Sequence, residues 1–248
     1  MEHLARLARG GEKLVNFAAM ILVLLLMLYA GYSLYDNWLV SQAGFGSELM
    51  KYKPDAEKTY SFEELIARNP DVVAWLTIED THIDYPVVQG KDDAEYLNKD
   101  ALGEFSLSGS LFLSCLNASD FSDPYSLIYG HHMDNGGMFG DITNFLKESY
   151  FDGHRKGTLR NTDHAWTIDL FSVVKTDASS SQVYSINEWK ESNAGLQSWL
   201  KEESLHYRDV KLSENDAIIG LSTCYDTETH GRVIVFGKLE LQEVKDSE

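Results

Sequence analysis

The first pattern along the chain is an uncharged, apolar run at residues 14–34, LVNFAAMILVLLLMLYAGYSL. A helix of this length can cross the hydrocarbon core of a bilayer, and the run is longer than the apolar region of a usual signal peptide. Basic residues precede it, and Tyr35 and Trp38 follow it. The positive-inside rule therefore predicts a single-pass membrane protein with a cytoplasmic N-terminus and an extracellular remainder. The alternative is a signal peptide cleaved near Ser41-Gln42-Ala43.

Hydropathy and charge divide the chain into five predicted segments. A sharper helical pattern begins at Ser61 and ends before Asn69-Pro70, which marks the start of the folded domain. The segments are, in order, a cytoplasmic N-terminus at 1–13, a transmembrane anchor at 14–35, a stalk or amphipathic lead-in helix at 36–58, an extracellular domain at 59–243, and a tail at 244–248.

The domain is predicted to be mainly β with flanking helices, an α+β arrangement. Short β-branched and aromatic runs recur between turn residues. They predict two strands within 72–89 around a turn at Glu79-Asp80, and further strands at 109–115, 126–130, 158–161, 164–175, 218–224 and 232–239. Helices are predicted at 139–150 and from an N-cap at Asn187 to about Ser204. Within the first strand pair, Trp75, Ile78 and Ile83 are predicted to face inward. Many short strands with few helices favour a β-barrel or a sandwich with helical insertions.

Composition narrows the classes of function. A hydrophobic content of 44% in 248 residues is enough for a packed core and one globular domain with an appendage. The formal net charge of −18 argues against a nucleic-acid partner, which needs basic surface. A negative net charge of this size typically serves to keep a domain soluble.

The last predicted strand pair carries the candidate chemistry. Cys224 ends one strand and Arg232 begins the next, so they are expected at neighbouring strand ends. There a thiolate and a fixed guanidinium could act on the same carbonyl group. The chain has one other cysteine, Cys115, and a structural disulfide between the two is the alternative for an exported domain.

A cysteine nucleophile needs a group that transfers protons. His131 is the strongest of the eight histidines, because it follows a strand that ends at Gly130 and is projected from a rigid element. His132 is the second candidate. His230 is expected in a flexible loop, and His82 has no partner that the sequence identifies. Adjacent histidines on a strand would diverge, so no metal site is predicted at His131 and His132.

Several motifs, in their order along the chain, resemble those of the class B sortases. The resemblance covers residues 60–240 and is carried by Leu221-Ser222-Thr223-Cys224 with Arg232, Tyr129-Gly130-His131-His132-Met133, Gly137-Met138-Phe139-Gly140-Asp141, Asn69-Pro70-Asp71-Val72-Val73, Ile83-Asp84-Tyr85-Pro86-Val87-Val88-Gln89 and Gly109-Ser110-Leu111-Phe112-Leu113. It implies a closed β-barrel of the sortase type, preceded by one N-terminal transmembrane helix.

The resemblance implies a cysteine transpeptidase without a cofactor or a metal. Cys224 would attack the threonine carbonyl of an NPxT- or LPxT-like sorting motif and form a thioacyl-enzyme, which an amine resolves. His131 would transfer the protons, and Arg232 would bind the oxyanion or the motif backbone. Ser222 and Thr223 would line the site, unless they are only polar strand ends. By position, Leu97 and Tyr184 would contribute to the groove that binds the motif.

The implied partners are secreted proteins with a C-terminal sorting signal and an amino group that accepts them. The acceptor would belong to a peptidoglycan precursor or cross-bridge, or it would be a pilin lysine if the enzyme polymerises pili. The alternatives are a membrane-tethered cysteine protease that transfers the acyl group to water, and a non-catalytic module closed by a Cys115–Cys224 disulfide.

The chain departs from the family pattern at two positions. Cys115 stands where the family commonly has an acidic residue, and we interpret it as a free, partly buried thiol. Tyr225 follows the cysteine where an acidic or polar residue is common, so the substrate contacts at this position cannot be carried over from the family.

Overall fold

The computed structural model describes residues 2–43, 48–54, 60–224 and 231–242. It divides into two compact units, Met1–Gln42 and Ala43–Glu248. The first is a single helix, α1, at Glu2–Ala43. Its part from Gly11 to Leu39 is long and apolar enough to cross a membrane, with a mean hydropathy of 2.4. The helix includes the predicted anchor and continues into the first residues of the predicted stalk.

The described residues of the second unit form nine strands in one sheet. The strands are β1 Val72–Ile78, β2 Asp84–Val88, β3 Leu111–Leu113, β4 Tyr125–Tyr129, β5 Lys156–Arg160, β6 Ala165–Asp177, β7 His206–Tyr207, β8 Ala217–Cys224 and β9 Gly231–Leu241. Their order is β5-β1-β2-β3-β4-β8-β9-β6-β7, and an additional pairing of β5 with β6 closes eight of them into a barrel. The predicted mainly β fold with a closed barrel is confirmed.

Short helices flank the barrel. The α-helices are α2 Tyr60–Arg68, α3 Glu148–Gly153, α4 Ser181–Tyr184 and α5 Ala194–Glu203, and 3-10 turns lie at Met50–Tyr52, Glu95–Leu97, Gly140–Leu146 and Ile186–Trp189. The predicted strand at 109–115 is shorter than expected, since only Leu111–Leu113 pair with neighbouring strands.

The single helix predicted at 139–150 is wrong. The segment forms the 3-10 turn Gly140–Leu146, and α3 follows after Lys147, which is extended. Ile142 and Phe151 are both buried in the interior cluster, the group of apolar side chains that fills the barrel. One continuous α-helix would place them on opposite faces, because nine residues advance the helix by two and a half turns. The break at Lys147 lets both side chains reach the core.

The helix predicted to begin at Asn187 is also wrong. That residue lies in the turn Ile186–Trp189, and α5 begins after Asn193. The Asn193 side chain is fully buried and donates hydrogen bonds to the carbonyls of Pro124 and Asp216, at 2.7 and 2.8 Å. This amide joins three chain segments, and the helix starts only beyond it.

Buried side chains lie both inside and outside the barrel. Leu76, Ile78 and Ile83 belong to the interior cluster. Trp75 is buried as predicted but on the outer side, where it packs in a cluster with Phe62 and Leu65 of α2 and with Phe112 of β3. A third cluster packs α4 and α5 against the outer side of β6, β8 and β9.

The packing of α2 gives a stability prediction. Leu65 is fully buried against the barrel, so Leu65→Ala is expected to lower the free energy of unfolding by about 2–5 kcal/mol. Urea unfolding of the full chain in detergent, followed by tryptophan fluorescence, measures the change. Glu63→Ala, at an exposed position of the same helix, is the matched control. Equal stability of the two variants would contradict this packing.

Candidate functional site

Three strand ends meet at one end of the barrel. β4 pairs in parallel with β8, so Tyr129 lies opposite Ser222, and β8 pairs antiparallel with β9, so Cys224 lies opposite Arg232. His131 follows β4 by two residues. The backbone therefore brings together the positions of His131, Cys224 and Arg232. The Cys224 side chain, Tyr225 and His230 lie outside the described residues.

Gly130 joins the end of β4 to the end of β8. Its N–H donates to the Ser222 carbonyl at 3.1 Å, and its carbonyl accepts the Thr223 hydroxyl at 3.0 Å. A Cβ at this position would come within 2.5 Å of side-chain atoms of Leu111 and Phe139. Only glycine fits this close approach, and the backbone that enters His131 is therefore fixed.

The imidazole of His131 is exposed at the edge of the site. Partial withdrawal from water lowers its pKa, and the neighbouring His132 lowers it further. Neutral imidazole is therefore the dominant form at neutral pH, and this form can accept a proton.

His132 is oriented differently from His131. Its backbone pairs with Met138, and its Nε2 lies 3.4 Å from Asp134 Oδ1. It lines a second, polar cavity together with His82 and Asp141, whereas His131 lines the cavity at the strand ends. The two histidines diverge as predicted, although on a loop and not on a strand. Within the part of the chain that the structure describes, no group of three or more metal-ligating side chains is placed to hold an ion.

A cavity of about 370 Å³ opens at the strand ends. All of the predicted site residues that have described side chains line it, namely His131, Arg232, Leu97, Tyr184, Ser222 and Thr223. The structure thus brings together residues from five separate parts of the chain. Leu97 lies on the 3-10 turn after β2, and Tyr184 lies on α4.

Ser222 and Thr223 are buried, and both hydroxyls have partners within the protein. The Thr223 hydroxyl bonds Gly130, as described above, and Ser222 Oγ lies 3.0 Å from the Tyr184 hydroxyl. These hydrogen bonds therefore hold the two side chains in place in the wall of the cavity. Arg232 is half-buried at the start of β9 and donates from Nη1 to the Gly231 carbonyl at 3.1 Å.

An aromatic wall that the sequence analysis missed lies beside these residues. Tyr129 stacks on Phe112 and on Tyr184, with ring centroids 5.2 and 6.2 Å apart. Burial raises the pKa of Tyr129, and the charge of Asp93 adds to this effect. Its phenol therefore stays neutral. The sequence feature that could have identified Tyr129 as a site residue is its position directly before Gly130, at the end of the same strand.

Asp93 is a second missed residue of the cavity, and it contacts the other cysteine. Its carboxylate accepts the backbone N–H of Cys115 at 2.7 Å and the hydroxyl of Ser114 at 3.2 Å. Desolvation and Asp93 raise the pKa of the Cys115 thiol, which is unfavourable for a nucleophile. Cys115 is a free cysteine, so the alternative of a Cys115–Cys224 disulfide is wrong, and the interpretation as a free thiol is confirmed.

Comparisons with known proteins agree with this arrangement. The family profile described as "Sortase domain" matches residues 76–240. Sortase B of Listeria monocytogenes is 35% identical over 69% of this chain and 70% of its own.

Solved structures of the same class are similar over most of the chain. A class B sortase of Streptococcus pyogenes involved in pilus biogenesis has 41% identity and a TM-score of 0.68, covering 73% of this chain and 98% of that one. A substrate complex of Staphylococcus aureus sortase B has 28% identity and a TM-score of 0.69, covering 82% and 94%.

The close approach at Gly130 predicts that Gly130→Ala is disruptive. The added methyl group must displace Leu111 and Phe139, so the free energy of unfolding is expected to fall by about 1–3 kcal/mol. Gly153→Ala is the matched control, because a Cβ there meets no atom within 4 Å. Chemical unfolding of the two full-length variants measures the difference. A Gly130→Ala protein as stable as the control would contradict the described contact.

Proposed function

The chain belongs to the class B sortases, a family of transpeptidases, and on that premise we propose that it cleaves a sorting signal of a secreted protein and transfers the protein to a cell-wall amine. One observation carries the proposal: the strand ends that bear Cys224 and Arg232 meet the His131 loop around one cavity.

In the proposed reaction, the Cys224 thiol gives its proton to His131, and the sulfur attacks the carbonyl carbon of the motif threonine. The carbon–nitrogen bond of the tetrahedral intermediate then breaks, and the departing amine takes a proton from His131. This leaves a thioester on Cys224. The incoming amine attacks the thioester and gives a proton to His131. The carbon–sulfur bond then breaks, and the departing Cys224 thiolate takes this proton back, so the enzyme returns to its initial state.

Arg232 is proposed to stabilise the negative oxygen of each tetrahedral intermediate. Its guanidinium stays charged and offers several donors, and its strand position is paired with that of Cys224. A preorganised donor of this kind typically contributes 10²–10³-fold to kcat, by the order of magnitude seen when one is removed.

The cavity is proposed to bind the motif, which is NPxT- or LPxT-like. Its exposed Leu97 offers apolar contact, and the stacked rings of Tyr129 and Tyr184 offer a rigid wall with hydroxyl groups. Such surfaces fit a short extended peptide with a proline. The substrate complex of the Staphylococcus aureus relative supports a peptide ligand.

We propose that α1 anchors the enzyme with the N-terminus in the cytoplasm and the barrel outside the cell. The apolar part of α1 and the basic residues before it support this orientation. The proposed order is then a cytoplasmic N-terminus at 1–13, a stalk or amphipathic lead-in helix at 36–58, an extracellular domain at 59–243 and a tail at 244–248.

The acceptor is proposed to be an amino group of peptidoglycan, from a precursor or a cross-bridge. A pilin lysine is the second candidate, and the similarity to the Streptococcus pyogenes enzyme of pilus biogenesis supports it. Both acceptors are primary amines, so the same His131 chemistry serves either one.

Peptides with NPxTG and LPxTG motifs test the reaction. The full chain in detergent, incubated with each peptide and a small amine, is expected to give a thioacyl adduct and an amine-capped product by mass spectrometry. Cys224→Ala is expected to give neither. Release of the threonine acid alone would instead support the protease alternative, and cleavage by Cys224→Ala would refute the assigned nucleophile.

The lowered pKa of His131 predicts the pH dependence. In the active free enzyme, Cys224 and His131 together carry one exchangeable proton. Protonation of His131 adds a second proton, and His131 can then no longer accept the proton of the thiol. The acid limb of kcat/KM is therefore expected below pH 6.5, the ordinary pKa of histidine. Thermal melting over the same pH range controls for acid unfolding. An acid limb above pH 6.5 in a folded enzyme would contradict the prediction.

A further inference from the structure

The carboxylate of Asp141 is nearly buried and joins two distant parts of the chain. It accepts the backbone N–H of His82 at 2.8 Å and contacts His82 Nδ1 at 2.9 Å, both through Oδ2. Its other oxygen accepts the Asn144 amide at 3.1 Å. Since a carboxylate oxygen accepts hydrogen bonds, this contact is a hydrogen bond in the tautomer of His82 that carries the proton on Nδ1.

These contacts connect the turn between β1 and β2 to the 3-10 turn Gly140–Leu146, which directly follows the loop of residues 131–140. A third bond acts beside them, from the Met138 N–H to the Tyr85 hydroxyl at 3.0 Å. Gly136 of the loop lies against both partners, since a Cβ there would be 3.1 Å from His82 Nδ1 and 3.2 Å from Asp141 Oδ1. The outer part of the loop is therefore held by the rigid β1–β2 hairpin.

Phe139 transmits this restraint to His131. Its N–H donates to the His131 carbonyl at 3.0 Å, and its fully buried ring packs against Gly130. Asp141 follows Phe139 by two residues. A shift of Asp141 would thus move Phe139, whose backbone N–H is hydrogen-bonded to the His131 carbonyl.

We infer that Asp141, through its contact with His82, is a positioning residue for His131 in the proposed transpeptidation. The inference rests on the proposed role of His131. The reason is geometric: His131 is exposed, so packing of its own ring does not fix its place, and proton transfer requires heavy atoms within hydrogen-bond reach.

The matched control is Asp123, another nearly buried carboxylate outside the cavity. It accepts hydrogen bonds from Asn117, from the backbone of Ala118 and from Lys190, at 2.9, 2.8 and 2.7 Å. Loss of either carboxylate removes comparable interactions, so a general loss of stability would affect both variants alike.

The first measurement is kcat and KM of the full chain with the motif peptide. Asp141→Ala is expected to lower kcat by about 10²-fold with little change in KM, because misplacement by about 1 Å costs this much. Asp123→Ala is expected to keep kcat within about twofold of the wild type. Equal kcat for the two variants, or a change confined to KM, would overturn the inference.

His82 gives a second pair of variants with little risk to folding, since its side chain is 60% exposed. His82→Ala removes the ring donor and is expected to lower kcat in the same direction as Asp141→Ala. His82→Asn is expected to restore it, because its amide can place a donor near the position of Nδ1. An unchanged kcat in His82→Ala would exclude a contribution of this contact.

A titration of His131 by NMR separates the inference from the proposed function. In Asp141→Ala and His82→Ala the loosened loop is expected to give His131 more water and to raise its pKa towards 6.5. Asp123→Ala is expected to leave it unchanged. If the wild type transfers no peptide but these pKa shifts occur, the proposed function fails and the positioning contact stands. If peptide transfer occurs without the shifts, the positioning contact is refuted.

Discussion

The close contact between Gly130 and the end of β8 is the constraint on which the rest of the site depends. β4 and β8 run in parallel, and parallel neighbours are distant in sequence, so no local turn sets their relative position. The two hydrogen bonds to Ser222 and Thr223 fix where β4 stops relative to β8. The spacing of the His131 loop from the Cys224 strand follows from this one contact. The absence of a side chain at residue 130 makes the contact possible.

The residue that contacts Cys115 and the residue that pairs with Cys224 differ in charge, and this difference supports Cys224 as the proposed nucleophile. Cys115 lies next to Asp93, and both the burial of the thiol and the negative charge of Asp93 disfavour a thiolate. Cys224 stands on the strand paired with Arg232, a permanent cation. In a chain with a net charge of −18, a cation at this position gives the proposed nucleophile a local field opposite to that of the whole protein.

The sequence predicted the fold and the grouping of the site because both depend on local patterns and ordered motifs. Runs of β-branched and aromatic residues between turn residues identified most strands, and the strand–loop–strand pattern placed Cys224 and Arg232 at neighbouring strand ends, where the structure pairs them. The helices after residue 139 were predicted less well, since their limits depend on tertiary contacts. Asn193 has the same chemistry as Asn187, and only the positions of Pro124 and Asp216 determine which amide is buried.

The same limit explains why sequence analysis left His82 without a partner. Asp141 is 59 residues away, and no periodic pattern connects a hairpin turn to the loop after another strand. The hairpin of β1 and β2 supports the outer part of the loop, because Tyr85 binds Met138 in the loop and His82 binds Asp141 just after it. His131 is therefore restrained from two sides, by Gly130 at the inner end of the loop and by Asp141 at the outer end. A loop fixed at both ends can leave the imidazole exposed and still keep its backbone in one place, which the proposed acid–base role of His131 requires.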